Sequence, residues 1–294
     1  MKILITGLTG YIGKDLQKII LNKNYQIAAI SRKSHYVKNI EFIRGDLKNL
    51  NKIKKKIISF NPDILIHLAW YEISNLNKKN SYLNYRISKN LINHIINFTS
   101  CQKIIVTGSC LEYKKKNGVC NENSRLDHQL PFAKYKNKIM KYTQAICKKN
   151  NVLFYWFRLF YVIGQNQRST SLIPSILKGI TNKKVKIKNS LSYNDYVPIE
   201  KVSKTLNYCI INSPSSGIYN IGSGRSINYK EIIAIINRKL KNNNDSKIII
   251  SNQKNKYKKV NFWSGNSKYN KTFDKIKTKE ISFYICKMVE YYNN

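Results

Sequence analysis

The chain has 294 residues, 42% of them hydrophobic, and sets 53 Lys and Arg against 15 Asp and Glu for a formal net charge of +38. That length allows one large α/β core with a smaller appended lobe, and no apolar run reaches the ~18 residues that a membrane-spanning helix needs. The positive field attracts polyanions of any kind, but lysine is spread through nearly every segment and no zinc-finger spacing, ribonucleoprotein signature or basic heptad region accompanies it, so no specific nucleic-acid reader is expected.

In the first 160 residues, short β-branched runs alternate with stretches whose apolar residues recur at helical spacing. Strands are expected at Ile3–Thr6, Gln26–Ile30, Ile64–Leu68, Lys103–Thr107 and Leu153–Arg158. Helices are expected at Ile12–Leu21, Leu50–Ser59, Leu83–Thr99 and Lys134–Lys149. This order predicts an α/β fold, a doubly wound parallel Rossmann sheet over residues 1–165. From about 166 to 294 the alternation loosens into a smaller substrate-binding lobe, between which and the sheet the chain is free to cross back, with helices at Ser169–Ile180 and Tyr229–Leu240 and a short strand at Lys184–Ile187. Lys241–Val260, rich in Lys and Asn, reads as a solvated loop around a strand at Lys247–Ser251.

Six scattered cysteines form no C-x-x-C pair and stand beside no histidine at metal-ligand spacing. They read as reduced thiols filling core space, with no metal expected. Met1-Lys2 runs straight into the first strand, so no leader is expected and the cytoplasm is the expected compartment.

Between the first strand and helix lies Gly7-Leu8-Thr9-Gly10-Tyr11-Ile12-Gly13, a G-x-x-G-x-x-G loop. Glycines at that spacing allow a tight turn, close approach of backbone to a pyrophosphate and close helix-to-strand packing, while the helix start offers oriented N–H groups. With a strand before and a helix after, the loop marks a dinucleotide site. The second strand ends at Ser31-Arg32, where an acidic residue would otherwise receive a ribose 2′-hydroxyl. An arginine can instead pair with a 2′-phosphate, which favours NADP over NAD.

These features, with several later segments, resemble the extended short-chain dehydrogenase/reductases, the NAD-dependent epimerase/dehydratase family. Gly45-Asp46-Leu47 looks like the family's adenine-contacting segment, and Ile66-His67-Leu68-Ala69-Trp70 like the strand whose end, at Leu68, Ala69 and Trp70, lies along the cofactor. Thr107-Gly108-Ser109-Cys110-Leu111-Glu112-Tyr113 resembles the strand bearing the catalytic hydroxyl, which falls on Ser109. Phe157–Gly164 resembles the segment entering the sugar-nucleotide site and Ser171-Leu172-Ile173-Pro174 the helix after it. Asn194–Ile199 resembles the family's Arg-Asp-x-x-x-Val segment with Asn in place of Arg, and Gly217–Gly224 resembles the late strand and turn of the lobe. The resemblance implies a nucleotide-diphosphate sugar as substrate and a homodimer paired through Leu83–Thr99 and Lys134–Lys149. It favours a 4-keto-6-deoxy sugar reductase, with an epimerase, a dehydratase or a non-catalytic binder as alternatives. Glu112 and Tyr161 would line the substrate pocket, and Arg168 and Arg225 would meet its diphosphate.

The family's Tyr and Lys, four residues apart on one helix face, are not both present in Pro131-Phe132-Ala133-Lys134-Tyr135-Lys136-Asn137-Lys138. In one register Lys136 is the family lysine, also holding the nicotinamide ribose, and Phe132 stands in the tyrosine position. In the other, Tyr135 is catalytic and its lysine, Lys138, is only three residues on, rotated by about 100° from the usual spacing. The first needs no gap and is preferred. Proton transfer then falls to Tyr135 on the neighbouring turn, to Ser109 or to water.

Overall fold

The computed structural model describes residues 1–114, 117–180, 185–186, 192–241, 250–251 and 260–293. In chain order these form β1 (Lys2–Thr6), α1 (Tyr11–Ile20), β2 (Gln26–Ser31), β3 (Ile40–Arg44), α2 (Lys54–Phe60), β4 (Ile64–His67), α3 (Lys78–Phe98), β5 (Lys103–Ser109), β6 (Asn117–Cys120), α4 (Pro131–Lys149), β7 (Leu153–Leu159), β8 (Tyr161–Ile163) and α5 (Leu172–Ile180). They continue with β9 (Val185–Lys186), β10 (Tyr193–Asn194), β11 (Tyr196–Pro198), α6 (Ile199–Ile211), β12 (Gly217–Ile221), β13 (Ile227–Asn228), α7 (Tyr229–Lys241), β14 (Ile250–Ser251), β15 (Asn261–Ser264), α8 (Ser267–Thr272) and α9 (Ile281–Asn293).

Seven strands make one sheet in the order β12-β7-β5-β4-β1-β2-β3. The adjacent pairs from β3 across to β7 are all parallel. Strand order reverses between β1 and β4, the switch point at which open α/β sheets hold their ligands. The expected doubly wound α/β sheet is therefore present. Its strands are buried on both faces, so Ile3–Ile5 and Ile104–Val106 read as unbroken apolar runs. Leu4, Ala28, Leu65, Ile104 and Trp156 meet Leu91, Ile92 and Ile95 of α3 and Ile139 and Met140 of α4 in one core cluster.

By packing, the chain divides into two units, and it enters each more than once. The first gathers Met1–Lys114, Ser124–Leu159 and Ser203–Asn220; the second gathers Lys115–Asn123, Phe160–Val202 and Ile221–Asn294. Gly217–Ile221, expected as a strand of the lobe, instead adds to β7 at the edge of the main sheet. The β-strand Ile40–Arg44, not anticipated, forms the opposite edge with only Ile43 fully buried, too weak an apolar signal to stand out.

Helix boundaries moved for local reasons. The stretch expected as one helix at Leu50–Ser59 is the end of a 3-10 segment, Leu47–Lys52, followed by α2, the two separated at Ile53, which leaves the helical region with φ -120° and ψ -7°. Helix α3 starts earlier than expected, at Lys78, where the Asn77 side chain accepts from Asn80 N and caps it. Helix α4 starts at Pro131, whose fixed φ and missing N–H suit the first helical position.

The second unit contains the four-stranded sheet β13-β10-β15-β6. Its core packs Ile173, Ile176 and Leu177 of α5 with Ile232, Ile233 and Ile236 of α7 and Ile285, Met288 and Val289 of α9. Residues 184, 187 and 247–249 of the expected short strands, and most of the Lys241–Val260 loop, lie outside the described residues. Among the described residues no helix is long and apolar enough to cross a membrane.

Candidate active site

The phosphate loop is built by backbone geometry. Gly7 has φ +76°, and a Cβ there would lie 2.8 Å from Ala69 N. A Cβ on Gly13 would run into the carbonyl oxygens of Gly7 and Leu8. The turn closes through Gly10 N donating to Gly7 O at 3.0 Å. Gly10 then caps α1 without any side-chain oxygen, so no side chain competes for the N–H groups of the first turn. Thr9 and Gly10 are exposed, Tyr11 and Ile12 half-buried. Such a cradle fits a pyrophosphate, which needs close backbone approach and unspent amides.

A buried relay ties this loop to the end of β4. Thr6 Oγ1 accepts from Ala69 N at 3.3 Å and bonds His67 Nδ1 at 2.7 Å, while His67 Nε2 bonds Ser88 Oγ at 2.8 Å. Burial, reinforced by the nearby Lys136 charge, pulls the imidazole down to about 3. The ring is neutral and accepts through one nitrogen while donating through the other. Leu68, Ala69 and Trp70 follow, all half-buried.

Beyond them the loop is pinned from α3: Asn84 accepts from Tyr71 N at 2.6 Å, and Asn80 donates to the carbonyls of Tyr71, Glu72 and Asn75. The Tyr71 ring has the Arg32 guanidinium 5.3 Å from its centroid and the Lys48 ammonium at 3.6 Å. Asp46 caps the turn that carries Leu47 and Lys48, accepting from Lys48 N at 2.9 Å. Ser31 ends β2 and its hydroxyl accepts from Lys33 N. Arg32 is thus an exposed cation held against an aromatic beside a second cation. Lys48 and Tyr71 were missed in the sequence, although each directly follows a segment that was read, Asp46-Leu47 and Ala69-Trp70.

At the end of β5, Ser109 accepts from Leu111 N at 3.2 Å, and its own N–H donates to Glu112 Oε1 at 2.8 Å, a reciprocal cap on the next turn. The Ser109 O–H has no acceptor among the described residues. Glu112 corrects an expectation. It does not face a pocket but is wholly excluded from water, receiving Trp156 Nε1 at 3.1 Å and Arg158 Nε at 2.8 Å. A carboxylate so placed is stable only because charge and donors surround it. Arg158 stays charged because Glu112 and Tyr113 outweigh its burial, and it donates to Tyr113 Oη, which donates on to Asn220.

On α4, Phe132 and Lys136 lie one turn apart, both buried. Lys136 Nζ donates to Thr107 O at 2.8 Å and sits 4.1 Å from the Trp70 ring centroid. Burial pushes the ammonium down to about 8, with Glu112 opposing the shift. Phe132 meets Trp70 edge-on at 5.3 Å, and Trp70 Nε1 is buried with no hydrogen-bond partner among the described residues. Tyr135, the alternative proton donor, goes elsewhere: its ring packs against Tyr82 and Tyr85 of α3, and Lys138 reaches that ring at 5.6 Å. The helix turn of about 100° per residue accounts for this separation from Lys136. Ser109, Lys136, Trp70 and the glycine loop are thus all tied to the ends of β1, β4 and β5.

The other expected substrate contacts lie in the second unit. Tyr161 pairs with Tyr196 across β8 and β11 with rings 5.9 Å apart, and Arg168 and Arg225 are exposed. There Asp195 is buried and accepts from Ser223 N, Ser223 Oγ, Gly224 N, Ser264 N and Ser264 Oγ, which fixes the Gly222-Ser223-Gly224 turn bearing Arg225. Among the described residues no group of three or more His, Cys, Asp or Glu could hold a metal ion.

The NAD dependent epimerase/dehydratase family matches residues 3–222. The chain belongs to that family. Among curated proteins it is similar to a dTDP-6-deoxy-L-talose 4-dehydrogenase (NAD(+)) of Aggregatibacter actinomycetemcomitans, 29% identical over 82% of this chain and 93% of that one. It is also similar to a dTDP-4-dehydro-6-deoxyglucose reductase of Escherichia coli, 28% identical over 81% of each chain. Among solved structures, the Bacillus cereus UDP-glucuronic acid 4-epimerase in complex with NAD aligns with a TM-score of 0.83 and 19% identity over 100% of this chain and 99% of its own. A Thermotoga maritima UDP-glucose 4-epimerase aligns with a TM-score of 0.85 and 15% identity over the same shares. These two solved structures share the fold of this chain.

Proposed function

We propose that this chain is an NAD(P)-dependent oxidoreductase of a nucleotide-diphosphate sugar, acting in the cytoplasm as a 4-keto-6-deoxy sugar reductase. The observation that carries it is the glycine loop between β1 and α1, which leaves no room for a Cβ at Gly7 or Gly13 and starts α1 with no side chain capping its first-turn N–H groups, the arrangement a pyrophosphate needs. The names of the two curated relatives favour a C4 oxidoreductase over an epimerase.

Gly7, Gly10 and Gly13 would hold the pyrophosphate, Asp46 and Leu47 the adenine, and Leu68, Ala69, Trp70 and Lys136 the nicotinamide side. The bound dinucleotide supplies or receives a hydride. Ser109, with its O–H unspent, would donate to the substrate carbonyl oxygen and fix its position against the hydride path. Glu112 and Arg158 keep Ser109 in place from beneath. Arg168 and Arg225 would meet the diphosphate.

Arg32 beside Lys48 supports NADP, since two cations favour a 2′-phosphate. Fluorescence titration with NADPH and NADH checks this: Arg32→Ala should cost NADPH on the order of tenfold in affinity and leave NADH within twofold. Equal affinities in the parent would remove Arg32 from the role. Turnover is tested with NADPH and a panel of dTDP- and UDP-linked 4-keto sugars, following absorbance and product. A homodimer paired through α3 and α4 belongs to the same reading and is checked by sedimentation.

A second reading rests on Phe132, which has no hydroxyl where the family tyrosine would stand. The chain would then bind dinucleotide without chemistry. Binding of NADPH with no oxidation across the panel selects it.

A further inference from the structure

We infer that Lys136 is itself the proton-transferring residue of this site, exchanging a proton between its ammonium and the carbonyl oxygen of the substrate. The inference rests on the oxidoreductase reading above and goes beyond it, since a family lysine in that reading only positions the cofactor.

Elimination among the groups that surround the site leads here. Phe132, one turn before Lys136, has no exchangeable proton. Tyr135 turns its ring toward Tyr82 and Tyr85 on α3. From β4, His67 has both ring nitrogens bonded to Thr6 and Ser88 and stays neutral in burial. From the turn after β5, Glu112 is committed to Ser109, Trp156 and Arg158. Arg158 on β7 holds its proton too firmly to release it. Ser109 can orient an oxygen, but a hydroxyl without a base beside it does not ionise near neutral pH.

Lys136 has the opposite properties. It spends one of its three N–H groups on the backbone carbonyl of Thr107, two residues before Ser109 at the end of β5. Its ammonium lies against the faces of Trp70 and Trp156 at 4.1 and 5.6 Å. Beside it the indole N–H of Trp70 is buried and has no acceptor among the described residues, so an arriving oxygen would satisfy it. With burial pushing it down to about 8, the amine can both give and regain a proton near neutral pH.

In the reductive direction the carbonyl carbon gains a hydride from a dihydronicotinamide and the π pair moves to oxygen. One N–H bond of Lys136 breaks as the O–H bond forms. The neutral amine then takes a proton from water.

The test combines NMR with kinetics. In protein carrying carbon-13 at lysine Cε, one resonance, absent in Lys136→Arg, should titrate near pH 8, well below the ordinary lysine value of 10.5. The alkaline limb of parental turnover should fall at the same pH. Lys136→Arg keeps the charge but releases no proton; it should quench indole fluorescence with NADPH within about threefold of the parent and lose at least ~100-fold in turnover. Phe132→Tyr leaves Lys136 in place and, by adding a phenol, should move the alkaline limb away from the lysine titration.

Turnover by Lys136→Arg within threefold of the parent would overturn the inference. So would a limb that does not coincide with the Lys136 resonance, a comparison that stands even if the arginine variant fails to fold. A parent that binds NADPH but turns over only after Phe132→Tyr would overturn it too. Failure of the oxidoreductase reading is seen separately, as absence of any quenching by NADPH or NADH, or as quenching with no turnover of any panel substrate by the parent or by Phe132→Tyr.

Discussion

Glu112 and Arg158 form an ion pair at 2.8 Å with both side chains sealed from water, directly beneath the strand end that carries Ser109. A charge in that position is tolerable only while its partner remains. Glu112→Gln should therefore cost ~3–5 kcal/mol in urea denaturation by stranding the guanidinium. The double variant Glu112→Gln, Arg158→Met should lose much less than the sum of the two singles. Strict additivity would show that the pair is not coupled.

Lys136 makes stability depend on pH in the alkaline range. Its folded value of about 8 lies below the ordinary 10.5, so between those values the unfolded chain holds more protons. Stability attributable to Lys136 therefore rises with pH across that window, and the burial penalty is complete below about 8. Lys136→Met removes the penalty and should stabilise the fold at pH 7 on the order of 1–3 kcal/mol, with a gain that shrinks toward pH 10. Thermal unfolding of both proteins at pH 7 and pH 10 measures it; a gain that does not change with pH rejects the assignment.

His67 has the same sign at the acid end. It is neutral in the fold down to about 3 against an ordinary 6.5, so as pH falls through 6.5 the unfolded chain takes up a proton that the fold refuses. Stability is lost progressively between those values. A His67→Gln variant should lose ~2–3 kcal/mol less than the parent between pH 7 and pH 4.5. Parallel stability curves for the two would count against the buried neutral ring.

Gly13→Ala should remove dinucleotide binding. The added carbon meets the carbonyl oxygens of Gly7 and Leu8, of which the first closes the turn with Gly10 N and the second accepts from Gln17 Nε2. A loss of at least ~10-fold in NADPH affinity is expected, with folding checked by circular dichroism. An unchanged titration curve would place the nucleotide elsewhere.

What the sequence revealed depended on how local each signal was. The strand-loop-helix around Gly7, Gly10 and Gly13 is contiguous, and periodicity made β1, β4, β5 and β7 legible because buried parallel strands are apolar throughout. Edge strand β3, with one fully buried residue, carried no such signal. The Tyr-Lys departure was visible as spacing, but the destination of Tyr135 was not, because the rings of Tyr82 and Tyr85 are supplied by another helix. Glu112 was misread for a related reason: a carboxylate next to a catalytic hydroxyl looks like a pocket group until Trp156 and Arg158 arrive from a strand more than 40 residues later in the sequence.

The place of β12 bears on how the protein can be dissected. A fragment stopped near residue 165 would lack Gly217–Ile221 and leave the backbone of β7 as a bare rim next to Phe154, Tyr155 and Phe157. Unpaired strand rims of that kind recruit other chains. Truncation to the nucleotide-binding half would thus favour precipitation over a working miniature, and any shortened version has to carry residues 203–220 along, joined back by a linker.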